Sequence, residues 1–387
     1  MRRALSAESM TVFSVVAAIL VAASSSAVTP LYRLYQVSMH LTPFLITIVF
    51  AVYAISLLVA LLTIGGLSDY IGRRPVILAA LILNAVAMIL FMTASDVGQL
   101  ILARAVQGLC VGTATTALGA AILDTNRARG PLLNSVTAFL GLAAGALGAA
   151  ALITYAPDPL RLIYDVLFIL TSLMIVLLWL MPESAPGKSG ALSSLRPHVS
   201  VPIQSRSILI RLTPATIATW SLGGFHLSLM PAVVATAMGV SSAWVGGSVV
   251  ATLMIAAATS VALFKNFVAE KVVFGGLLTL SVGVALSLVG IQQREVVVLF
   301  AATVVAGFGF GSTFSGTLRT LLPTAEPDQR AGLLAAFYVM SYLAFGLPAV
   351  AAGLSVAIFG LANVAYVYGA SIIILAIASM IALIRAR

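Results

Sequence analysis

The chain has 387 residues, of which 61% are hydrophobic and only 8% are charged, and its formal net charge is +9. A soluble domain carries about 25% charged residues, so this composition excludes an ordinary water-soluble protein and indicates a chain that lies in a bilayer. The strict apolar–polar alternation that is typical of membrane β-barrel strands does not occur in the sequence. We therefore predict an all-α membrane protein.

Twelve apolar runs are long enough to cross the hydrocarbon core as helices, which takes about 20 residues each. They lie at 9–37, 42–67, 75–94, 97–124, 130–153, 162–181, 207–235, 241–263, 270–290, 295–322, 328–358 and 362–385. The first run also resembles a secretory signal, but we interpret it as an uncleaved helix because its removal would leave eleven spans. The sequence therefore predicts twelve transmembrane helices.

Basic residues are distributed unevenly between the two sides of this predicted bundle. With a cytoplasmic N-terminus, sixteen of the 20 Lys and Arg residues lie on the cytoplasmic side, including Arg2, Arg3 and Arg387. Cytoplasmic loops of membrane proteins carry such an excess. The asymmetry predicts a multi-pass protein of the cell (inner) membrane with both termini in the cytoplasm, and it accounts for the net charge without a nucleic-acid partner.

One long polar interval, at 182–206, is rich in Pro, Gly and Ser, a composition typical of linkers. It separates an N-terminal half at 1–181 from a C-terminal half at 207–387, with six predicted spans in each. The two halves match at one offset of 201 residues, which aligns Gly108 with Gly309. We therefore predict two six-helix, pseudo-symmetric halves joined by a cytoplasmic linker.

A short polar segment lies between the second and third apolar runs, and it follows the pattern G-x-x-S-D-x-x-G-R-R. The pattern resembles motif A, the loop signature of the major facilitator superfamily of transporters. It matches at Gly65, Ser68, Asp69, Gly72, Arg73 and Arg74. The resemblance implies the fold of that superfamily, a substrate pocket near the midplane between the halves, and no resident cofactor or metal.

The same resemblance implies a conformational latch on the cytoplasmic side. Asp69 is expected at the end of span 2, Arg73 in the loop, and Asp124 at the end of span 4. In the family these positions hold the halves together in the outward-facing state, with Gly65, Gly72 and Arg74 completing the signature. The alternative is a topology signal with ordinary surface ion pairs, which contribute about 0–1 kcal/mol each.

A second motif lies inside span 4. Arg104, Gln107 and Gly108 follow the pattern R-x-x-Q-G, which resembles motif B of the family, where the arginine is linked to proton coupling or substrate binding. An arginine at the centre of a span costs roughly 2.5–3.5 kcal/mol on insertion scales, so it normally faces a protein interior. The alternative is that Arg104 extends to the outer membrane surface.

The proton-coupling residue is less evident, because no acidic residue lies at mid-depth in spans 1, 4, 7 or 10. His226, in span 7, is the one mid-membrane residue that titrates near neutral pH, although a lone histidine is often a packing residue. Asp165, near the outer end of span 6, is the second candidate. Span 5 carries Gly145-Ala146 where antiporters of the family carry a Gly-Pro step.

By analogy with the family, helices 1, 4, 7 and 10 line the substrate pocket. The polar or aromatic candidates are Tyr32, Tyr53, Gln107, Trp220, His226, Phe310, Ser312, Tyr338 and Tyr342. A mostly neutral set of this kind suits amphipathic organic molecules, although each residue also fits ordinary helix packing.

No catalytic signature such as H-E-x-x-H, G-x-S-x-G or a Walker loop lies in the sequence, and the single cysteine, Cys110, excludes a metal site built on several thiolates. We therefore predict a monomeric secondary transporter, not an enzyme. It resembles the drug/proton antiporter branch, which implies export of small amphipathic compounds or drugs by proton antiport and alternating access. The alternatives are a uniporter or symporter for one metabolite, and a lipid-translocating or sensor protein of the same fold.

Overall fold

The structure is a computed structural model, and it describes residues 6–385 of the chain. Within these residues all regular secondary structure is helical. Arg2, Arg3 and Arg387, which contribute to the predicted charge asymmetry, lie outside the described residues.

Twelve long helices, α1 to α12, follow one another along the described chain. Their bounds are Ala7–Ser38, Pro43–Thr63, Arg73–Thr93, Val97–Thr125, Gly130–Tyr155, Pro159–Leu178, Ile203–Ser228, Ala243–Phe264, Ala269–Gln293, Val296–Leu321, Arg330–Phe359 and Leu361–Ile384. By length and composition 11 of them can each cross a membrane alone, and α7 with its bent continuation makes the twelfth candidate. Apart from α7, each helix matches a predicted apolar run to within four residues at both ends.

The seventh span departs from the prediction of one continuous helix at 207–235. Helix α7 ends at Ser228, and the chain continues at an angle of 54° through Met230–Ala232 and a π-helical turn at Val233–Ala237. Pro231 lies at the bend, and a proline removes a helical hydrogen bond and clashes with the preceding turn. The helix also begins at Ile203, before the predicted end of the linker at residue 206.

Helix α4, which carries the second sequence motif, begins at a well-defined cap. The Asp96 side chain accepts a hydrogen bond from the Gln99 backbone N–H at 3.0 Å. The Gln99 side chain in turn accepts from the Ser95 N–H at 2.9 Å. Such reciprocal caps pair backbone donors that the first helical turn leaves free. The cap fixes the start of α4 and therefore the depth at which Arg104 lies.

The long helices form two compact units. Within the described residues, the first unit comprises 6–34 and Val52–Pro197, and the second comprises Tyr35–Ala51 and 198–385. Residues 35–51, which belong to the predicted N-terminal half, therefore pack with the second unit. The assignment of 1–181 and 207–387 as the two halves stays a prediction.

In the first unit, α3 packs against α4 and α6. The buried face of α3 repeats at helical spacing and includes Ile77, Leu81, Asn84 and Met88, all fully buried. A polar Asn84 in the middle of this apolar stripe requires hydrogen-bond partners on neighbouring helices.

In the second unit, an apolar cluster surrounds the bend that follows α7. Leu229, Met230 and Val233 are buried there together with Leu299 of α10 and Val364 of α12. The break in α7 is therefore packed within its unit.

Candidate functional site

The hairpin between α2 and α3 differs in local structure from its prediction. Helix α2 ends at Thr63, and Asp69 lies in a separate short helix, Ser68–Ile71. Gly72 adopts a positive φ of 97°, a conformation that glycine reaches without strain. Arg73 is the first residue of α3 and not a loop residue.

Three predicted latch residues meet at this hairpin. The Arg73 Nε donates to Asp124 Oδ2 at 2.9 Å, and its Nη1 donates to Asp69 Oδ1 at 2.5 Å. Nη1 also donates to the Ser68 hydroxyl at 2.7 Å. The Arg73 side chain is only 9% exposed, whereas those of Asp69 and Asp124 are 55% and 32% exposed. The arginine is therefore the buried centre of the cluster, and loss of its partners would leave a largely buried charge uncompensated.

Glu183, which belongs to neither sequence motif, binds the backbone beside this cluster. Its carboxylate accepts from the backbone N–H of Arg73 at 2.8 Å and of Arg74 at 3.1 Å. These are N–H groups of the first turn of α3, where a helix lacks internal acceptors and favours a negative charge. A Cβ at position 72 would lie 2.8 Å from the Glu183 Oε2, so a glycine there also makes room for the cap.

Other residues that follow α6 also contact the hairpin between α2 and α3. The Lys188 N–H donates to the Tyr70 carbonyl at 2.7 Å. Arg74 Nη2 lies 3.5 Å from the Trp179 carbonyl, while its Nε is buried without a hydrogen-bond partner. The linker after α6 therefore packs against the hairpin motif.

Gly65 lies just beyond α2, where an added Cβ would be 3.4 Å from the Thr116 methyl group of α4.

Arg104, the eighth residue of α4, is 1% exposed, so its side chain lies within the protein interior. Its Nη1 donates to the Ser25 carbonyl at 3.0 Å and to Gln107 Oε1 at 2.6 Å, and its Nη2 donates to the Tyr32 hydroxyl. The guanidinium carbon also lies 5.4 Å from the Tyr32 ring centre and 5.0 Å from that of Tyr53. Cation–π contacts of this kind contribute about 2 kcal/mol when desolvated.

Gln107 and Gly108 fix the surroundings of that arginine. Gln107 Nε2 donates to the Ser24 carbonyl of α1 at 2.9 Å, which orients its Oε1 toward Arg104. Gly108 lets α4 approach α2, because a Cβ at that position would lie 2.9 Å from the Leu57 nitrogen. The close approach brings Tyr53 of α2 against the guanidinium.

A buried polar network continues from this site to α3 and α6. Asn84 Nδ2 donates to Thr171 Oγ1 at 2.8 Å and to Ser24 Oγ at 3.2 Å. The Cys110 thiol lies 3.7 Å from Asn84 Oδ1. Ser24 thus binds Asn84 through its hydroxyl and Gln107 through its carbonyl, which links α1, α3, α4 and α6.

No carboxylate balances the charge of Arg104. All eleven Asp and Glu residues of the sequence lie within residues 6–385, and none of them is buried. The three ion pairs found in this range join Arg73 to Asp69, Arg73 to Asp124, and Arg161 to Asp165. Arg104 Nε is buried and has no hydrogen-bond partner. The first unit therefore holds a buried cation whose neighbours are all neutral.

The two predicted coupling candidates lie in different settings. His226 is 1% exposed, its Nδ1 lies 3.0 Å from the Leu222 carbonyl, and its Nε2 is buried without a partner. Asp165 instead lies 3.7 Å from the exposed Arg161 one turn earlier on α6. Neither residue joins the hydrogen bonds of Arg104.

The second unit gathers most of the predicted aromatic pocket residues. The Trp220 ring of α7 lies 5.0 Å from Tyr342 and 5.9 Å from Phe345 of α11, and 6.0 Å from Phe314 of α10. Tyr338 extends the cluster, with its ring 6.1 Å from that of Tyr342.

Phe310 and Ser312 of α10 are also buried, but they occupy other surroundings. An added Cβ on Gly223 of α7 would lie 3.1 Å from the Phe310 ring, whereas one on Gly276 of α9 would lie 2.9 Å from Ser312 Cβ. Phe310 is thus next to the aromatic cluster, while Ser312 faces α9.

The chain is similar to a known protein family and to a multidrug resistance protein. The profile of the Major Facilitator Superfamily matches residues 14–269. The chain is 26% identical over 286 residues to the multidrug resistance protein MdtL of Citrobacter koseri, an alignment that covers 70% of this chain and 71% of the relative.

Solved structures share the fold at much lower identity. The nucleoside transporter NupG has a TM-score of 0.74 at 12% identity, with 96% of this chain and 99% of that chain covered. The xylose transporter XylE from E. coli has a TM-score of 0.71 at 13% identity, with 96% and 98% covered. These likenesses confirm the predicted fold class, and the profile match confirms the predicted family, which is not a family of enzymes. The chain belongs to the major facilitator superfamily of secondary transporters.

Proposed function

We propose that this protein exports small amphipathic organic compounds, including drugs, by proton antiport and alternating access. The observation that carries the proposal is the buried guanidinium of Arg104, which lies near two tyrosine rings and has no acid beside it. A charged side chain inside a membrane protein is costly and is normally retained for substrate or ion handling. The name of the relative MdtL, a multidrug resistance protein, supports export of drugs.

The residues offered to a substrate are mainly aromatic and neutral. Within the first unit, Tyr32, Tyr53 and Gln107 surround Arg104. Within the second unit, rings cluster around Trp220. Aromatic rings bury large apolar areas, and a few polar groups among them fix orientation. This composition favours compounds with an apolar body and one polar end.

His226 is our candidate for the proton carrier. Its Nδ1 is committed to a backbone carbonyl, whereas its buried Nε2 is free to accept a proton. None of the acidic residues is buried, so no carboxylate competes for this role. The absence of a buried carboxylate also favours a second candidate function, which is facilitated diffusion of one specific metabolite without proton coupling. In that case His226 is only a packing residue.

The closed cytoplasmic gate is proposed to be stabilised by the ion pairs of Arg73 with Asp69 and Asp124. The hairpin around these ion pairs is proposed to be shaped by Gly65, Gly72 and Arg74. Both termini and the linker are proposed to lie in the cytoplasm, the chain in the cell membrane, and the working form to be a monomer. The partners are then the substrate, protons and the lipid bilayer.

Transport into inside-out vesicles tests this function. The vesicles are energised by an acid interior, and accumulation is measured for a panel of amphipathic neutral, anionic and cationic compounds. We expect gradient-dependent accumulation of some of them, lost in Arg104→Ala and retained in Arg127→Gln, which removes an exposed loop arginine. Equal accumulation with and without the gradient would favour the uncoupled carrier.

A further inference from the structure

We propose that the site around Arg104 selects substrates that carry one acidic group, so that the transported species are amphipathic organic anions. This inference rests on the proposed function and names the substrate class of the same site. It follows from the charge and the unused donor of Arg104, and not from the aromatic surroundings, which would accept compounds of any charge.

The first argument is charge balance. Arg104 is 1% exposed, and its three hydrogen-bond acceptors are a backbone carbonyl, an amide oxygen and a phenol, all of them neutral. All acidic residues of the sequence lie in the described range, and each is at least partly exposed. A buried cation of this kind is stabilised most by an anion in direct contact. Because the chain does not supply that anion, the substrate is the partner that can.

The second argument is the free donor. Guanidinium offers five N–H groups in a planar fork that matches the two oxygens of a carboxylate. Arg104 Nη1 already donates to Ser25 and Gln107, and Nη2 donates to Tyr32, but the buried Nε has no partner. A carboxylate that binds Nε and Nη2 together would use the vacant donor, and the Tyr32 hydroxyl could then donate to the same carboxylate.

The third argument is the way in which the guanidinium is held. Gln107 accepts a hydrogen bond from Nη1 at one edge of the planar guanidinium, and Gln107 is itself bound to the Ser24 carbonyl. Rings of Tyr32 and Tyr53 lie against the cation. The Nη1 side is thus anchored to α1 and α4, whereas the buried Nε has no protein partner and is the donor that we assign to a ligand. This arrangement predicts selection by charge, with little dependence on the shape of the apolar body.

Equilibrium binding to the full-length protein in lipid nanodiscs tests the inference. The probes are aryl and alkyl carboxylates of short, medium and long chain, each paired with its primary amide and the corresponding amine. We expect the wild-type protein to bind carboxylates about tenfold or more tightly than their amides, as one charge-assisted bidentate contact predicts. In Arg104→Gln this preference should fall to about one, while amide affinity changes little.

Two further variants keep the test decisive. Arg104→Lys retains the charge but not the planar fork, and it should keep a reduced preference for carboxylates. Arg127→Gln removes an exposed arginine and should retain the full preference. If Arg104→Gln does not fold, the Lys variant and the wild-type acid-to-amide ratio still give the answer.

The outcomes separate this inference from the proposed function. Proton-driven transport of amides and amines as fast as of carboxylates would leave the export function standing and overturn the anion preference. Carboxylate binding that depends on Arg104, without proton-driven transport of any probe, would support the anion site and overturn antiport. Binding of no carboxylate in the panel would overturn the anion site.

Discussion

The backbone N–H of Arg73 donates to the Glu183 carboxylate at 2.8 Å, which joins the first residue of α3 to a linker residue 110 positions later. Arg73 is also the arginine that binds Asp69 and Asp124 through its side chain. The start of α3 and the position of the buried guanidinium are therefore set together. We infer that the linker after α6 belongs to the hairpin cluster and does more than connect the two halves.

Removal of the Glu183 carboxylate should loosen the start of α3. In Glu183→Ala the N–H groups of Arg73 and Arg74 lose their acceptors, and caps of this type contribute about 1 kcal/mol. Hydrogen exchange should accelerate at these two amides and leave the centre of α3 unchanged. The matched control is Glu326→Ala, which removes an exposed carboxylate in the loop before α11. Unchanged exchange at residues 73 and 74 would show that water replaces the cap at no cost.

The central arginine of the hairpin should matter more than either of its acids. Arg73→Lys cannot bridge both carboxylates with a planar fork, whereas Asp69→Asn removes only the more exposed partner. If the cluster contributes about 1–3 kcal/mol to the closed cytoplasmic gate, Arg73→Lys shifts the population toward inward-facing states by about fivefold to 150-fold.

This shift is measured by labelling a cysteine placed at Tyr338 in a Cys110→Ser background. The rate should rise from the parent through Asp69→Asn to Arg73→Lys, at similar expression. Equal labelling in all three, with transport lost, would assign Arg73 to folding and not to gating.

The buried network around Asn84 should couple to the Arg104 site through Ser24. Asn84→Ala leaves the hydroxyl oxygens of Ser24 and Thr171 without the amide that donates to them, at a cost of about 1–3 kcal/mol. Combined with Gln107→Ala, the loss of thermal stability should be less than additive, because both side chains hold Ser24. Thr259→Val, on an exposed position of α8, serves as the control and should change little. Strict additivity would show that the two residues act independently.

His226 should be required for coupling but not for movement of substrate. Glutamine at this position can still donate to the Leu222 carbonyl but cannot take up a proton. We expect His226→Gln to exchange substrate across vesicles without a gradient, yet to lose accumulation against one. The control, His198→Gln, changes an exposed histidine and should retain both activities. Full accumulation in His226→Gln would make His226 a packing residue.

The sequence was sufficient for most of the fold, because composition and span length constrain a membrane helix strongly. Runs of about 20 apolar residues located the helices, but they did not predict the break after Ser228, since Pro231 lies in an otherwise apolar run. The start of α3 at Arg73 was not predicted either, because it depends on the positive φ of Gly72 within one short polar segment.

The candidate site was only partly predictable. Arg104, Gln107 and Gly108 stand out in a local pattern, but the tyrosines around them come from α1 and α2, and no spacing rule connects them. Asn84 and Glu183 were not selected, although each holds part of a predicted motif in place. Their partners lie 60 to 110 positions away, and such contacts follow from tertiary packing and not from local sequence.

Proton flux coupled to substrate tests the central claim most directly. Purified protein is reconstituted into vesicles that contain a pH-sensitive dye and an acid interior, and an amphipathic substrate is added outside. Antiport predicts that protons leave the vesicle as substrate enters, that the flux saturates with substrate, and that it vanishes in both Arg104→Ala and His226→Gln. Substrate entry at an undiminished rate without any proton movement would contradict the account.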